Sequence, residues 1–123
     1  DPIVRTHFDV DLRRARRDGE RWSDITRRVV DELPGEVYIS FDIDALDPTL
    51  CPSTGTPVPS GLSFDEACDF VAEVARSGRR IVGADLVEVA RGATAWDANV
   101  GARLLYKLLG WTLVSQGLSV PPR

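Results

Sequence analysis

Two apolar runs with strand character, residues 36–42 and 80–89, are separated by a segment that reads as a complete helix, and this order fixes the fold class. The intervening stretch SFDEACDFVAEVARSG, residues 63–78, opens with a capping box of Ser63 and Glu66. Ala67, Phe70, Val71 and Val74 then recur at helical spacing, and Gly78 stands where such a helix ends. Strands joined through helices pair in parallel, so the chain is expected to be α/β. A helix over 20–33 precedes the first strand, carrying Trp22, Ile25, Val29 and Leu33 on one stripe and stopped by Pro34-Gly35. A long apolar helix over 96–116 follows the second strand, with Asp97 in the first turn where the helix dipole favours an anion. Between Ala45 and Gly61 lie four prolines and two glycines, which make that segment an irregular loop.

Parallel strands are normally covered on both faces, and two strands form a very small sheet with two open edges. With 123 residues the chain is of single-domain size. Residues 1–123 are therefore expected to be one partial domain, completed by further sequence or by another chain.

Composition narrows the partners. A net charge of −4 disfavours nucleic acid. The basic stretch Arg13-Arg14-Ala15-Arg16-Arg17 is interrupted by Asp18 and Glu20 and reads as a solvated helix face. No apolar run approaches the roughly 20 residues of a membrane helix, so no spanning segment and no membrane partner is expected. No basic n-region and apolar h-region open the chain, which predicts a cytoplasmic protein. Cys51 and Cys68 form no CxxC pair and indicate no structural zinc.

The first strand ends unusually, because Asp42, Asp44 and Asp47 follow its apolar run in quick succession. If the strand continued through Asp44, Asp42 and Asp44 would share a face with Cα atoms about 6.6 Å apart. Ligands of open α/β sheets sit beyond the carboxyl ends of strands. Converging carboxylates repel unless a cation neutralises them, and hard oxygen donors suit Mg²⁺, Ca²⁺ or Mn²⁺. Taken alone, the pair is either such a site or a set of turn caps, and Asp47-Pro48 has the look of a turn.

The wider stretch SFDIDALDPTLCPSTGTPVPSGLSFDEA, residues 40–67, resembles the signature of the ureohydrolases, which include arginase, agmatinase, guanidinobutyrase and formiminoglutamase. Its pattern is Ser-x-Asp-x-Asp, Asp-Pro, Thr-Gly-Thr-Pro, then a glycine-rich turn and a helix. VGADLVEVA and the terminal WDANVGARLLYKLL continue the likeness, over about residues 37–110. The resemblance implies a three-layer αβα architecture with a parallel sheet, of which this chain is the C-terminal part. It implies that Asp42 and Asp44 coordinate metal in a site of two Mn²⁺ ions. Glu88 would face the substrate guanidinium, and Thr56 would line the pocket. The implied reaction is two-metal hydrolysis, in which the metals lower the pKa of the attacking water. A guanidino substrate would yield an amine and urea, and a formimino substrate would yield formamide. Agmatinase-like chemistry is preferred on the general look of the C-terminal segment. The resemblance also implies a homo-oligomer, a trimer or hexamer.

Two departures are local: Pro59-Ser60-Gly61 replaces the usual Pro-Gly-Gly, and Ala84 stands where a larger residue is common. A third is large. The Gly-Gly-Asp-His and Asp-Ala-His-x-Asp segments that supply the family's remaining ligands do not occur, and His7 is the single histidine. HFDVD, residues 7–11, mimics FDID but leads into LRRARR, so Asp9 and Asp11 read as helix-start residues and His7 as an ordinary surface or packing side chain. The chain alone is expected to be inactive, its complete enzyme active. The rival expectation is a non-catalytic binding or assembly module that keeps half a metal site. Either the chain is a fragment of a longer product, or a separate N-terminal half is the partner that would complete the enzyme.

Overall fold

The computed structural model describes residues 4–121, so the two ends of the expected 1–123 domain lie outside the described residues. In chain order the elements are α1 (Asp9–Arg17), α2 (Trp22–Asp31), β1 (Glu36–Asp42), a single 3-10 turn (Ile43–Ala45), α3 (Phe64–Arg76), β2 (Arg80–Val87) and α4 (Trp96–Ser115). β1 and β2 pair in parallel, with α3 as the crossover between them. The mixed α/β class read from the sequence is therefore the class observed.

Each helix boundary has a local cause. Ser63 accepts the Glu66 amide at 3.2 Å while the Glu66 carboxylate accepts the Ser63 amide at 2.9 Å, closing the capping box in front of α3. Gly78 adopts φ +84, the left-handed conformation that lets the chain leave α3 and enter β2. α1 has no buried residue; its arginines pair with Asp9, Asp11 and Glu66, and Arg16 also lies over the Trp22 ring. The solvated reading of that basic run holds for the whole helix except at Arg16, which is tied down from two sides. Asp9 and Asp11 sit in the first turn of α1, and His7 lies beside Glu32 at 3.6 Å.

The sheet has one covered face. Val37, Ile39 and Phe41 on β1 lie in register with Ile81, Ala84 and Leu86 on β2, and all six belong to or pack against the core. Val30, Val71, Val74, Val100, Leu104, Leu108 and Trp111 complete this core from α2, α3 and α4. The partners on the opposite face are Tyr38 with Gly83, Ser40 with Asp85 and Asp42 with Val87, and no helix covers them among the described residues. There the Asp85 carboxylate accepts the Tyr38 hydroxyl at 2.9 Å and the Ser40 hydroxyl at 2.8 Å. That bond to Asp85 raises the Tyr38 phenol above its usual range.

α4 is apolar on more than one side. Leu104, Leu108 and Trp111 are buried, yet Leu105, Tyr106, Leu109 and Leu113 are exposed. A helix hydrophobic all round is normally enclosed by protein. Consistent with this, the chain exposes 7850 Å², against about 6500 Å² expected for a compact monomer of its mass, 13.5 kDa. No helix of the described residues is long and apolar enough to cross a membrane.

The two sides of α4 make a clean comparison. Leu108→Ala, which empties a fully buried position, should cost about 2–5 kcal/mol in urea denaturation, whereas Tyr106→Ala, at a position 69% exposed, should change stability by less than about 0.5 kcal/mol.

Candidate metal and substrate site

β1 stops at Asp42, so the extended spacing expected for Asp42 and Asp44 does not occur. The reason is local. The Asp42 carboxylate accepts the Asp44 amide at 3.1 Å, and that bond folds the next residues into a 3-10 turn. Ile43, the first residue of the turn, is fully buried, with half-buried aspartates on either side of it. Asp47 lies beyond the turn and caps its own. Its carboxylate accepts the Thr49 hydroxyl at 2.6 Å and the Thr49 amide at 3.0 Å, which hold the group below the usual carboxylate range.

The parallel register brings in the second strand. Asp42 pairs with Val87, the last residue of β2, and Glu88 comes immediately after it. Glu88 has φ +62, and with Ser60 at φ +67 it is one of two non-glycine residues in the left-handed region among the described residues. Such a conformation costs of order 1–3 kcal/mol and persists only where neighbours enforce it. The Thr54 hydroxyl donates to the Glu88 carbonyl at 3.1 Å and supplies part of that enforcement.

The proline-rich loop is folded back onto both strand ends. Leu46 bridges to Leu62 at its base, and Cys51 is fully buried with its thiol donating to the Ile43 carbonyl at 3.2 Å. Burial first, then the charges of Asp97, Asp44, Asp47 and Asp42, push the Cys51 thiol up. A neutral thiol thus sits beneath a group of carboxylates. Near the end of the loop, the Thr56 hydroxyl donates to Asp44 Oδ2. Gly55 faces Glu88, where an added Cβ would lie 4.0 Å from Glu88 Oε2.

Asp42, Asp44, Thr56 and Glu88 are therefore gathered at one end of the sheet. His7 and Asp11 stay with α1 and α2, beside Glu32 and Arg14, whereas Asp9 in the first turn of α1 lines one cavity with Asp44, Ala45 and Pro59. The sequence reading misses the anchor of the loop. Asp97 is only 2% exposed; its Oδ2 accepts the Ser53 amide at 2.9 Å and its Oδ1 the Ser53 hydroxyl at 3.1 Å. It is a buried acceptor, and not merely an anion favoured by the helix dipole. The available signal is its place three and four residues before Val100 and Gly101, on the stripe that α4 buries.

Hard oxygen donors from Asp42 and Asp44 match a divalent cation in kind. In number they fall short of a dinuclear site, since no group of three or more His, Cys, Asp or Glu side chains placed to hold a metal occurs among the described residues. The pair fits as part of a donor set.

The turn Pro59-Ser60-Gly61 has a steric logic of its own. A Cβ on Gly61 would stand 2.3 Å from the Leu46 carbonyl group, so only glycine fits there, whereas Ser60 occupies a left-handed position that glycine would take without strain.

Comparison with known proteins places these features. The sequence profile of the arginase family matches residues 8–110. The chain is 40% identical over 82 residues to the N(1)-aminopropylagmatine ureohydrolase of Thermus thermophilus, covering 67% of this chain and 28% of the relative. It is 47% identical over 77 residues to the mitochondrial agmatinase of Gallus gallus, covering 61% and 22%. It thus spans only about a quarter of the length of these relatives. Among solved structures, a hypothetical agmatinase from Burkholderia thailandensis superimposes with a TM-score of 0.71 at 30% identity, covering 94% of this chain and 38% of that one.

Ser60→Gly should raise stability by roughly 0.5–1 kcal/mol, the relief of left-handed strain less the added chain entropy of glycine. Denaturant titration of the two proteins measures it.

Proposed function

The chain belongs to the arginase family, and from that membership we propose that it is the C-terminal part of a manganese-dependent ureohydrolase domain. The observation that carries this reading is the gathering of Asp42, Asp44, Thr56 and Glu88 beyond the carboxyl ends of two parallel strands. The named relatives act on agmatine-type compounds, which favours a guanidino substrate of that kind, released as an amine and urea.

In this reading Asp42 and Asp44 would supply part of the donor set for a manganese pair, and the N-terminal part of the domain would supply the remaining donors. When bound, the metals supply a nucleophile at neutral pH by lowering the pKa of water. This chain's own residues do the rest of the positioning. Asp42 keeps one oxygen on the Asp44 amide, which limits the carboxylate to a narrow range of orientations. Thr56 occupies Asp44 Oδ2 as a donor and so orients that carboxylate, as outer partners of metal ligands do. Glu88 is exposed, and its carboxylate can accept two parallel N–H bonds from a planar guanidinium. Its left-handed backbone re-aims the side chain relative to β2. The uncovered sheet face and the outer side of α4 fit burial in the completed domain or between subunits of a homo-oligomer.

A second reading, a non-catalytic assembly module, is favoured by the shortage of metal donors among the described residues. The two separate experimentally. The natural protein carrying this chain should release urea from agmatine only with Mn²⁺, and Asp42→Ala should abolish release; an active Asp42→Ala enzyme would sink the assignment. Glu88→Gln should lower kcat/KM by at least tenfold while leaving manganese content unchanged, read by metal analysis after desalting.

A further inference from the structure

Asp97 lies in the first turn of α4 but caps nothing: the residue before the helix, Ala95, makes no side-chain cap, and both oxygens of Asp97 are turned to Ser53. A carboxylate buried this deeply is costly unless its oxygens are satisfied. Here one residue satisfies both, through its amide at 2.9 Å and its hydroxyl at 3.1 Å. Gly92 closes the third side, since a Cβ there would stand 2.1 Å from Ser53 Oγ and 3.3 Å from Asp97 Oδ1. Three segments meet at this point with no spare volume: the proline-rich loop, the connection between β2 and α4, and α4 itself.

The three residues after Ser53 give the clamp its reach. Thr54, 5% exposed, donates its hydroxyl to the Glu88 carbonyl at 3.1 Å. Gly55 faces the Glu88 side chain, where an added Cβ would come to 4.0 Å from Oε2, and Thr56 donates to Asp44. Between Ser53 and Thr56 the loop touches Asp97, Glu88 and Asp44 in turn. Glu88 also has the strained backbone that must be held from outside. We propose that Asp97 is a positioning residue: by fixing Ser53 it sets the 53–56 segment, and through that segment it sets the stance of Glu88 and, more weakly, of Asp44. The inference rests on the ureohydrolase reading for the roles of those two residues. Its mechanical content, a hydrogen-bonded linkage from α4 to the end of β2, does not depend on that reading.

The test uses the natural protein carrying this chain, with Asp97→Asn and Gly92→Ala as perturbations from two different segments. Asp97→Asn puts an amide donor where a second acceptor is needed, and Gly92→Ala pushes Ser53 away. Both should raise KM for agmatine by at least tenfold while kcat changes by less than threefold. Ser53→Ala, which deletes one of the two bonds, should fall between these variants and the parent. An unchanged KM accompanied by a lowered thermal midpoint would make Asp97 a structural anchor only and overturn the proposal. Amide hydrogen exchange provides a readout free of activity. In Asp97→Asn, residues 53–56 and 87–89 should exchange at least tenfold faster while α3 keeps its protection. Unchanged exchange at 87–89 would also overturn it. Should the parent protein hydrolyse no guanidino compound, the ureohydrolase reading fails, and the exchange result still decides the linkage.

Discussion

Parallel pairing of β1 with β2 is the constraint on which the rest depends. Because the two strands run the same way, their carboxyl ends lie side by side, and Asp42 finds itself next to Val87 and hence to Glu88. An antiparallel pair would have put those groups at opposite ends. The pairing in turn requires α3, whose length and capping bring the chain back to the start of β2. The carboxylates of the candidate site are arranged around that one end, and the amino ends of the strands carry the Arg80–Glu36 pair at 2.8 Å.

The site is held by short polar links and not by a rigid wall of core. Asp42 to Asp44, Thr56 to Asp44, Thr54 to Glu88 and Ser53 to Asp97 form a series that mixes backbone and side-chain donors. Each link is modest alone, about 0.5–1.5 kcal/mol for a typical hydrogen bond and more where a carboxylate accepts. Their joint effect is geometric. They give a loop with four prolines and two glycines one definite shape at the point where shape matters.

Much of this is legible from residue order. The capping box of α3, the stop at Pro34-Gly35 and the strand at 36–42 each carry a local signal strong enough to set an element boundary, and the structure places those elements there. The end of β1 is less legible. Alternation along Asp42, Ile43 and Asp44 looks the same whether the chain stays extended or turns, and only the carboxylate-to-amide bond of Asp42 decides. β2 likewise ends at Val87 and not at Val89, because Glu88 takes a left-handed conformation that no pattern of apolar residues announces. Asp97 misleads for a related reason. The first turn of a helix is the ordinary place for an exposed acid, and its true partner lies 44 positions away in the chain.

The two edges of the sheet are not treated alike. Along β2, the Ser115 hydroxyl accepts the Ile81 amide at 3.0 Å and the Gln116 side chain donates to the Ile81 carbonyl at 2.7 Å, so the end of α4 closes part of that edge. Along β1 the outer edge has no partner among the described residues, and its sequence, Val37-Tyr38-Ile39-Ser40-Phe41, is uncharged, free of proline and rich in β-formers. Natural sheets protect such edges with charges, bulges or a covering element, because an unguarded one recruits another extended segment. The same strand that aims Asp42 at the site is therefore also the chain's chief solubility liability. An added strand or covering element along β1 would satisfy its free backbone groups and remove that liability.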